Sequence, residues 1–362
     1  MDKNNNLLTR SEVVFMVFSV MLGVGILSLP ADAAKIAYED GWISVIVGGI
    51  YPLYCILLIG YFHKKFPNDN ILILSKKYFG RYLGSIFNVA FLGFFIFMPA
   101  AVLGGYINVV RVFAEGFLAS YKMVLVLVLV IAYTCSKGLK LLGRISLIVS
   151  IITAVIFFSP ISALEVASIK NIMPIGKVGI KNIFAASKTT IFAYQGIEVM
   201  FLLYPFVKDK KNVIKDSFIG VFITILLYTW VTFISIYYLG ADIVVKSYWP
   251  FLQVTESVTI SVVNNYRYIF MFLWSLSAVK AMVTDYFGGV IILNDFKKKK
   301  DIKAASYLLI PAVFIVSLKF SNKIDRGELL PKISEYYLIF ILIWVTTLAV
   351  LIFIKDSIKK GR

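Results

Sequence analysis

The apolar runs of this chain are too long and too numerous to be packed inside a water-soluble body. Met123–Ala132 and Leu338–Leu351 carry no charged side chain, and similar windows recur near 11–38, 42–62, 82–113, 122–136, 143–160, 183–206, 214–239, 267–293, 304–320 and 334–354. A helix needs roughly 20 apolar residues to cross the hydrocarbon of a bilayer. With 60% of the residues apolar and 16% charged, the polar side chains cannot cover a soluble surface. A membrane β-barrel would alternate apolar and polar residues, whereas these runs are continuous. The first run, after Arg10, is longer than a signal peptide and is followed by further spans, so it reads as a helix. The expected fold is an all-α polytopic membrane protein with about ten spans. It forms one transmembrane domain over 1–362, with five-helix halves at 11–160 and 183–354. The connections 63–81, 161–182 and 240–266 are too short to bury a core of their own. The last, with Trp249-Pro250-Phe251 and Val258–Val263, reads as a short helix dipping into one face.

Charge sets the expected orientation. The chain carries 37 basic and 20 acidic residues, a net charge of +17. The basic residues favour alternate connections, among them Lys64, Lys65, Lys76, Lys77 and Arg81, then Lys208, Lys210, Lys211 and Lys215. That bias puts both termini in the cytoplasm. The Lys297–Lys300 run is explained by the same bias and by contact with anionic lipid, with no nucleic acid. Cys55 and Cys135 sit inside apolar runs and read as small core residues. No nucleophile–base set or metal-ligand cluster stands out, so the chain reads as neither an enzyme nor a cofactor protein. His63 starts a cytoplasmic connection and reads as solvated, while Glu12 can complement the N-terminus of span 1.

Two spans carry helix-breaking residues at their midpoints. In span 1, Gly23, Gly25 and Pro30 fall within eight residues; against Ala, Gly costs about 1 kcal/mol and Pro about 3 in a helix. Backbone groups freed there cannot face lipid, so they line a cavity or meet a ligand. The alternative is a Gly-x-Gly packing face for a neighbouring helix. In span 6 the midpoint reads Tyr194-Gln195-Gly196-Ile197-Glu198. A carboxyl there must pair, be protonated or face water. Span 8 carries Lys280 at its centre, and Ser277, Lys280 and Thr284 share one face, with Asp285 one position off it. Lys280 is expected beside a carboxylate or freed carbonyls. Pro99 and Gly104-Gly105 mark a kink in span 3.

The broken spans are the first and sixth of ten, and five is odd, so the halves begin on opposite faces. This pattern suits an inverted repeat with a solute site between the breaks. An amino-acid carboxylate suits the Gly23–Gly25 amides, and its amine the freed carbonyls.

Residues 23–30, Gly-Val-Gly-Ile-Leu-Ser-Leu-Pro, resemble the first-helix signature of the amino acid–polyamine–organocation transporters, a LeuT-like group whose ten-helix core unwinds helices 1 and 6. The whole chain is similar to the spore germination permease family, the B subunit of GerA-type germinant receptors. The likeness rests on its length, the span count, the Leu8-Thr9-Arg10-Ser11-Glu12 opening, Asn171-Ile172-Met173-Pro174 before span 6, and the Gln195–Glu198 break. The resemblance implies a receptor in the spore inner membrane or bacterial cell membrane that senses a small nutrient such as an amino acid. It also implies an A-type membrane subunit and a C-type lipoprotein as partners. The ligand-facing positions it implies are Gly23, Val24, Gly25, Tyr194, Gln195, Gly196 and Glu198. In sodium-coupled relatives the ion is held by helix 1 and a Ser/Thr pair on helix 8. Here Lys280, with Ser277, Thr284 and Asp285, stands at that ion or coupling position, and its ammonium can replace the ion. An amino-acid secondary transporter, proton-coupled through Glu198 or Lys280, is the competing expectation.

Overall fold

The computed structural model describes residues 7–113, 118–258, 265–297 and 301–360. Beyond Val258 the expected dipping stretch lies outside the described residues, as do Lys298, Lys299 and Lys300. The described chain is helical apart from short connections and one isolated parallel bridge between Leu8 and Val207.

All ten spans are present as helix. Span 1 is Arg10–Met21 followed by Gly25–Ala37, and span 2 is Gly41–Gly48 continued by Ile50–Lys65. Spans 3, 4 and 5 are Arg81–Phe113, Ser120–Ser136 and Leu139–Phe158. Span 6 is Gly179–Thr189, Ile191–Tyr194 and Met200–Leu203; span 7 is Val213–Leu239 and span 8 Tyr266–Phe296. Span 9 is Ile302–Leu308 with Ile310–Phe320, and span 10 is Lys323–Lys360. Among the described residues, seven helical stretches are long and apolar enough to cross a bilayer unaided. The number is below ten because Gly25–Lys65 joins half of span 1 to span 2, span 4 has 17 residues, and span 6 is interrupted.

Spans 1, 2, 6 and 7 pack as one bundle, and spans 3, 4, 8 and 9 as a second group around them. The contacts obey the five-span offset: 1 with 7 is matched by 6 with 2, and 3 with 9 by 8 with 4. This is the packing signature of the inverted repeat. Span 5 lies against spans 1 and 8. Phe87, Phe91 and Phe94 of span 3 interlock with Tyr337, Phe340 and Trp344 of span 10. Large apolar side chains such as Ile148, Val155, Ile315, Ile343 and Phe353 point outward, as a lipid-facing surface requires.

Three details differ from the hydropathy reading. Span 10 begins at Lys323 rather than near 334, because its first turns are charged yet helical. Span 3 runs through Pro99 as one helix. His63 is buried, not solvated: span 2 continues to Lys65, which brings the imidazole Nε2 within 2.6 Å of the Lys210 carbonyl and its ring onto Tyr204.

Candidate solute site at the two helix breaks

Span 1 gives up helical geometry at Leu22, whose φ and ψ are −82° and 59°, and resumes at Gly25. Pro30 is carried within the second segment, so the break belongs to the glycine stretch. Span 6 breaks where Gln195 turns extended and Gly196 takes φ +116°. That left-handed value is open to glycine and costs other residues about 1–3 kcal/mol. A Cβ on Gly196 would also stand 3.1 Å from the Val20 carbonyl oxygen of span 1.

The two breaks face each other across Tyr228 of span 7. Its buried hydroxyl lies 2.5 Å from the Met21 carbonyl of span 1 and 2.8 Å from the Ala193 carbonyl of span 6. One phenolic proton thus faces two acceptors, of which the Met21 carbonyl also takes the Gly23 N–H at 2.9 Å. The Leu22 carbonyl accepts from Ser277 of span 8 at 3.3 Å.

Val24 lines a cavity of about 820 Å³ that opens on the face away from the chain termini. Gly23 turns toward Val102, and Gly25 packs on span 6, where a Cβ would sit 3.1 Å from Ala193 Cα and 3.3 Å from the Phe192 ring. Glycine at 25 therefore lets the two breaks touch, combining the break and packing readings. The Tyr194 hydroxyl donates to the Val45 carbonyl at 2.8 Å, and its ring stacks obliquely on Tyr228. Gln195 donates its amide to the Ser334 carbonyl at 3.0 Å, while its own Oε1 has no partner. The Ser334 hydroxyl, at the cavity wall, is likewise unpartnered. Glu198 is fully buried and caps its own break: it accepts from the Gly196 N–H at 2.6 Å and from the Tyr51 hydroxyl.

On span 8, Lys280 is buried and reaches span 1, where its ammonium donates to the Ser19 hydroxyl and approaches the Met16 carbonyl at 3.5 Å. Its partners are thus a hydroxyl and a backbone carbonyl, where the expectation named a carboxylate or freed carbonyls. Thr284 donates to the Lys280 carbonyl within its own helix. Asp285 is fully buried and neither carboxyl oxygen has a hydrogen-bond partner. Among the described residues no group of His, Cys, Asp and Glu side chains is arranged to hold a metal.

The opposite face is tied shut. Leu8 donates to the Phe206 carbonyl and accepts from Lys208 N–H, both at 2.9 Å, lashing the N-terminal segment to the end of span 6. Arg10 pairs with Asp216 at 2.9 Å, and Lys140 with Glu12 at 2.7 Å. Glu12 also accepts from the Thr9 N–H, which caps span 1 as its position suggested. Sequence reading missed Tyr228, Ser334 and Arg326. Tyr228 sits in a predominantly apolar run, and the other two lie ahead of or at the edge of the hydropathy window of span 10.

Comparison with known proteins agrees with this geometry. The chain is 23% identical to the spore germination protein YndE of Bacillus subtilis (strain 168), over 91% of this chain and 92% of the relative. It is also 23% identical to the spore germination protein GerQB of Bacillus cereus, over 86% and 87%. Among solved structures, a sodium-coupled sialic acid symporter in its substrate-bound outward-open state superposes with a TM-score of 0.61. The match covers 86% of this chain and 73% of the symporter, at 13% identity. Mhp1, a nucleobase–cation-symport-1 family transporter in a closed conformation with bromovinylhydantoin bound, gives 0.59, covering 89% and 72%, at 11% identity. The fold is that of the LeuT-type transporters, and the chain is an integral membrane protein. The sequence profile of the spore germination protein family matches residues 7–326, and the chain belongs to that family.

Proposed function

We propose that this chain is the B-type subunit of a nutrient germinant receptor, binding a small nutrient such as an amino acid near the bilayer midplane, between the broken spans 1 and 6. The observation that carries this reading is the unfinished hydrogen bonding beside the cavity. The Ser334 hydroxyl in the cavity wall has no hydrogen-bond partner, nor has Oε1 of Gln195, whose amide is bonded to the Ser334 carbonyl; deeper in, the Ala193 carbonyl shares the one Tyr228 proton with the Met21 carbonyl. Buried polar groups are normally satisfied, so a cluster of unsatisfied ones next to a cavity calls for a solute or water. An ammonium brings three protons that oxygens such as Gln195 Oε1 and Ser334 Oγ can accept. The N-terminus of the second segment of span 1, opening at Val24 in the cavity wall, favours a negative group.

Lys280, with Ser277, Thr284 and Asp285, serves as the coupling group in this reading, its ammonium bonded across the seam between spans 1 and 8. Bound solute shifts a two-state bundle whose termini-bearing face is latched by Leu8, Arg10 and Glu12. The shift is relayed to an A-type membrane subunit and a C-type lipoprotein in the spore inner membrane or bacterial cell membrane, with both termini cytoplasmic. The germination relatives support this role. A second reading, an amino-acid secondary transporter, is favoured by the cavity open on one face and latched on the other, the geometry alternating access uses.

The test is ligand-dependent stabilisation of the purified chain in nanodiscs by a mixture of the twenty L-amino acids, since a ligand that binds only the folded state raises its stability. The wild type is expected to shift upward, and Gly25→Leu, recovered from membranes at normal level, to lose the shift. An unchanged shift in Gly25→Leu, or none in the wild type, overturns the site. Uptake of labelled amino acid into proteoliposomes by this chain alone favours the transporter.

A further inference from the structure

The geometry points to Arg326 as a specificity residue: it docks the carboxylate of the incoming solute in the cavity above the breaks. This rests on the small-solute reading of the preceding section. The cavity is lined by five basic side chains, Lys35, Lys188, Lys246, Lys323 and Arg326, against two acidic ones, Asp32 and Glu335. Two of the five are already engaged. Lys35 pairs with Asp32 at 2.9 Å, and Lys323 lies over the rings of Tyr248 and Trp249.

Arg326 is held differently. One of its Nη atoms donates to the Ala101 carbonyl of span 3, and the guanidinium lies 5.6 Å from the centre of the Phe192 ring. That ring rests against Gly25, so a single aromatic layer separates the guanidinium from the break in span 1. Gly105 of span 3 makes the room: a Cβ there would stand 2.7 Å from Arg326 Cζ and Nη2. No carboxylate among the described residues forms an ion pair with Arg326, and the bond to Ala101 uses one of its five N–H donors. A planar cation seated on an aromatic face, in a cavity wall with donors to spare, is suited to a two-pronged grip on a carboxylate. Lysines on the rim draw anions in, and Arg326 recognises the group at the depth of Phe192. The ligand class is therefore an α-amino acid or another small carboxylate, with the corresponding amides bound more weakly.

The experiment compares two probes on the full chain in nanodiscs at about pH 6, where both carry a protonated α-amine: the mixture of twenty L-amino acids, and the mixture of their C-terminal amides. Wild type is expected to reach half-maximal thermal stabilisation with the acids at a concentration at least about tenfold lower than with the amides, the scale of one charge-assisted bond. Arg326→Gln should erase that preference while still responding to both mixtures at the higher concentration. Arg326→Lys, which keeps the charge without the fork, should fall between. Without any substitution, phenylglyoxal labelling of Arg326, read by mass spectrometry, should be blocked by the acids and not by the amides. Equal wild-type response to both mixtures, a preference that survives Arg326→Gln, or labelling that the acids do not block overturns the assignment and leaves the solute site intact. No response to either mixture overturns the solute site and the assignment together.

Discussion

Tyr228→Phe isolates the hydrogen bond that joins the two breaks. The substitution keeps the ring, whose centre lies 5.1 Å from that of Tyr194, and removes only the hydroxyl between the Met21 and Ala193 carbonyls. Interhelical hydrogen bonds in membrane proteins average about 0.6 kcal/mol and reach about 1.7. A buried acceptor left unpaired costs about 1–3 kcal/mol. One proton serves both carbonyls here, so a single bond is lost, and the expected destabilisation is about 1–2 kcal/mol. That corresponds to roughly a 5- to 30-fold change in the folded-to-unfolded ratio. The assay is SDS-titrated unfolding in mixed micelles followed by tryptophan fluorescence, with Tyr133→Phe, on an exposed tyrosine, as control. In the presence of the amino-acid mixture the deficit should shrink, because a solute ammonium supplies a proton to the Ala193 carbonyl, the Met21 carbonyl keeping the Gly23 N–H. A variant within a few tenths of a kcal/mol of wild type, or a deficit unchanged by the mixture, refutes the reasoning.

Two further substitutions address span 8. Lys280→Ala removes the donor to Ser19 and is expected to abolish the amino-acid-dependent thermal shift or assembly with partner subunits; wild-type behaviour in both would leave Lys280 a background residue. Asp285→Asn keeps the shape of a fully buried carboxyl that has no hydrogen-bond partner. Replacing a buried carboxyl that has no hydrogen-bond partner by an amide of the same shape costs little in packing, so unfolding resistance should be equal or higher by about 1 kcal/mol, while the solute response is lost. A clear loss of stability would mean that Asp285 is a structural partner.

Much of this was written in the sequence because helix breaking and burial of charge are local properties. Gly23, Gly25, Gly196 and Glu198 announced the two interruptions, and the five-span offset followed from their positions. Helical spacing put Ser277 and Lys280 on one face, and in the structure both reach span 1 from it. What stayed hidden is tertiary. Tyr228 stands in a run whose other residues are nearly all apolar, and nothing local separates a tyrosine that bridges two helices from one that fills a core. Arg326 was concealed by an averaging effect. Lys323, Asp325, Arg326, Glu328 and Glu335 lower the hydropathy of the start of span 10 to that of a loop, yet those turns are helix, and part of their polar face lines the cavity. Gly25 carried two meanings in sequence, a break and a packing contact, and the close approach to Ala193 realises both.

The most direct measurement is amide hydrogen exchange of the chain in nanodiscs, with and without the twenty-amino-acid mixture. Backbone N–H groups at residues 24, 25 and 197 should exchange faster than those of the flanking turns in the free protein, and should slow when the mixture is added, while the helix Ser120–Ser136, which lines no part of this cavity, stays unchanged. Protection as strong at the two interruptions as in uninterrupted helix, or no slowing on adding amino acids, would contradict the claim that these bared peptide groups exist to hold a small solute.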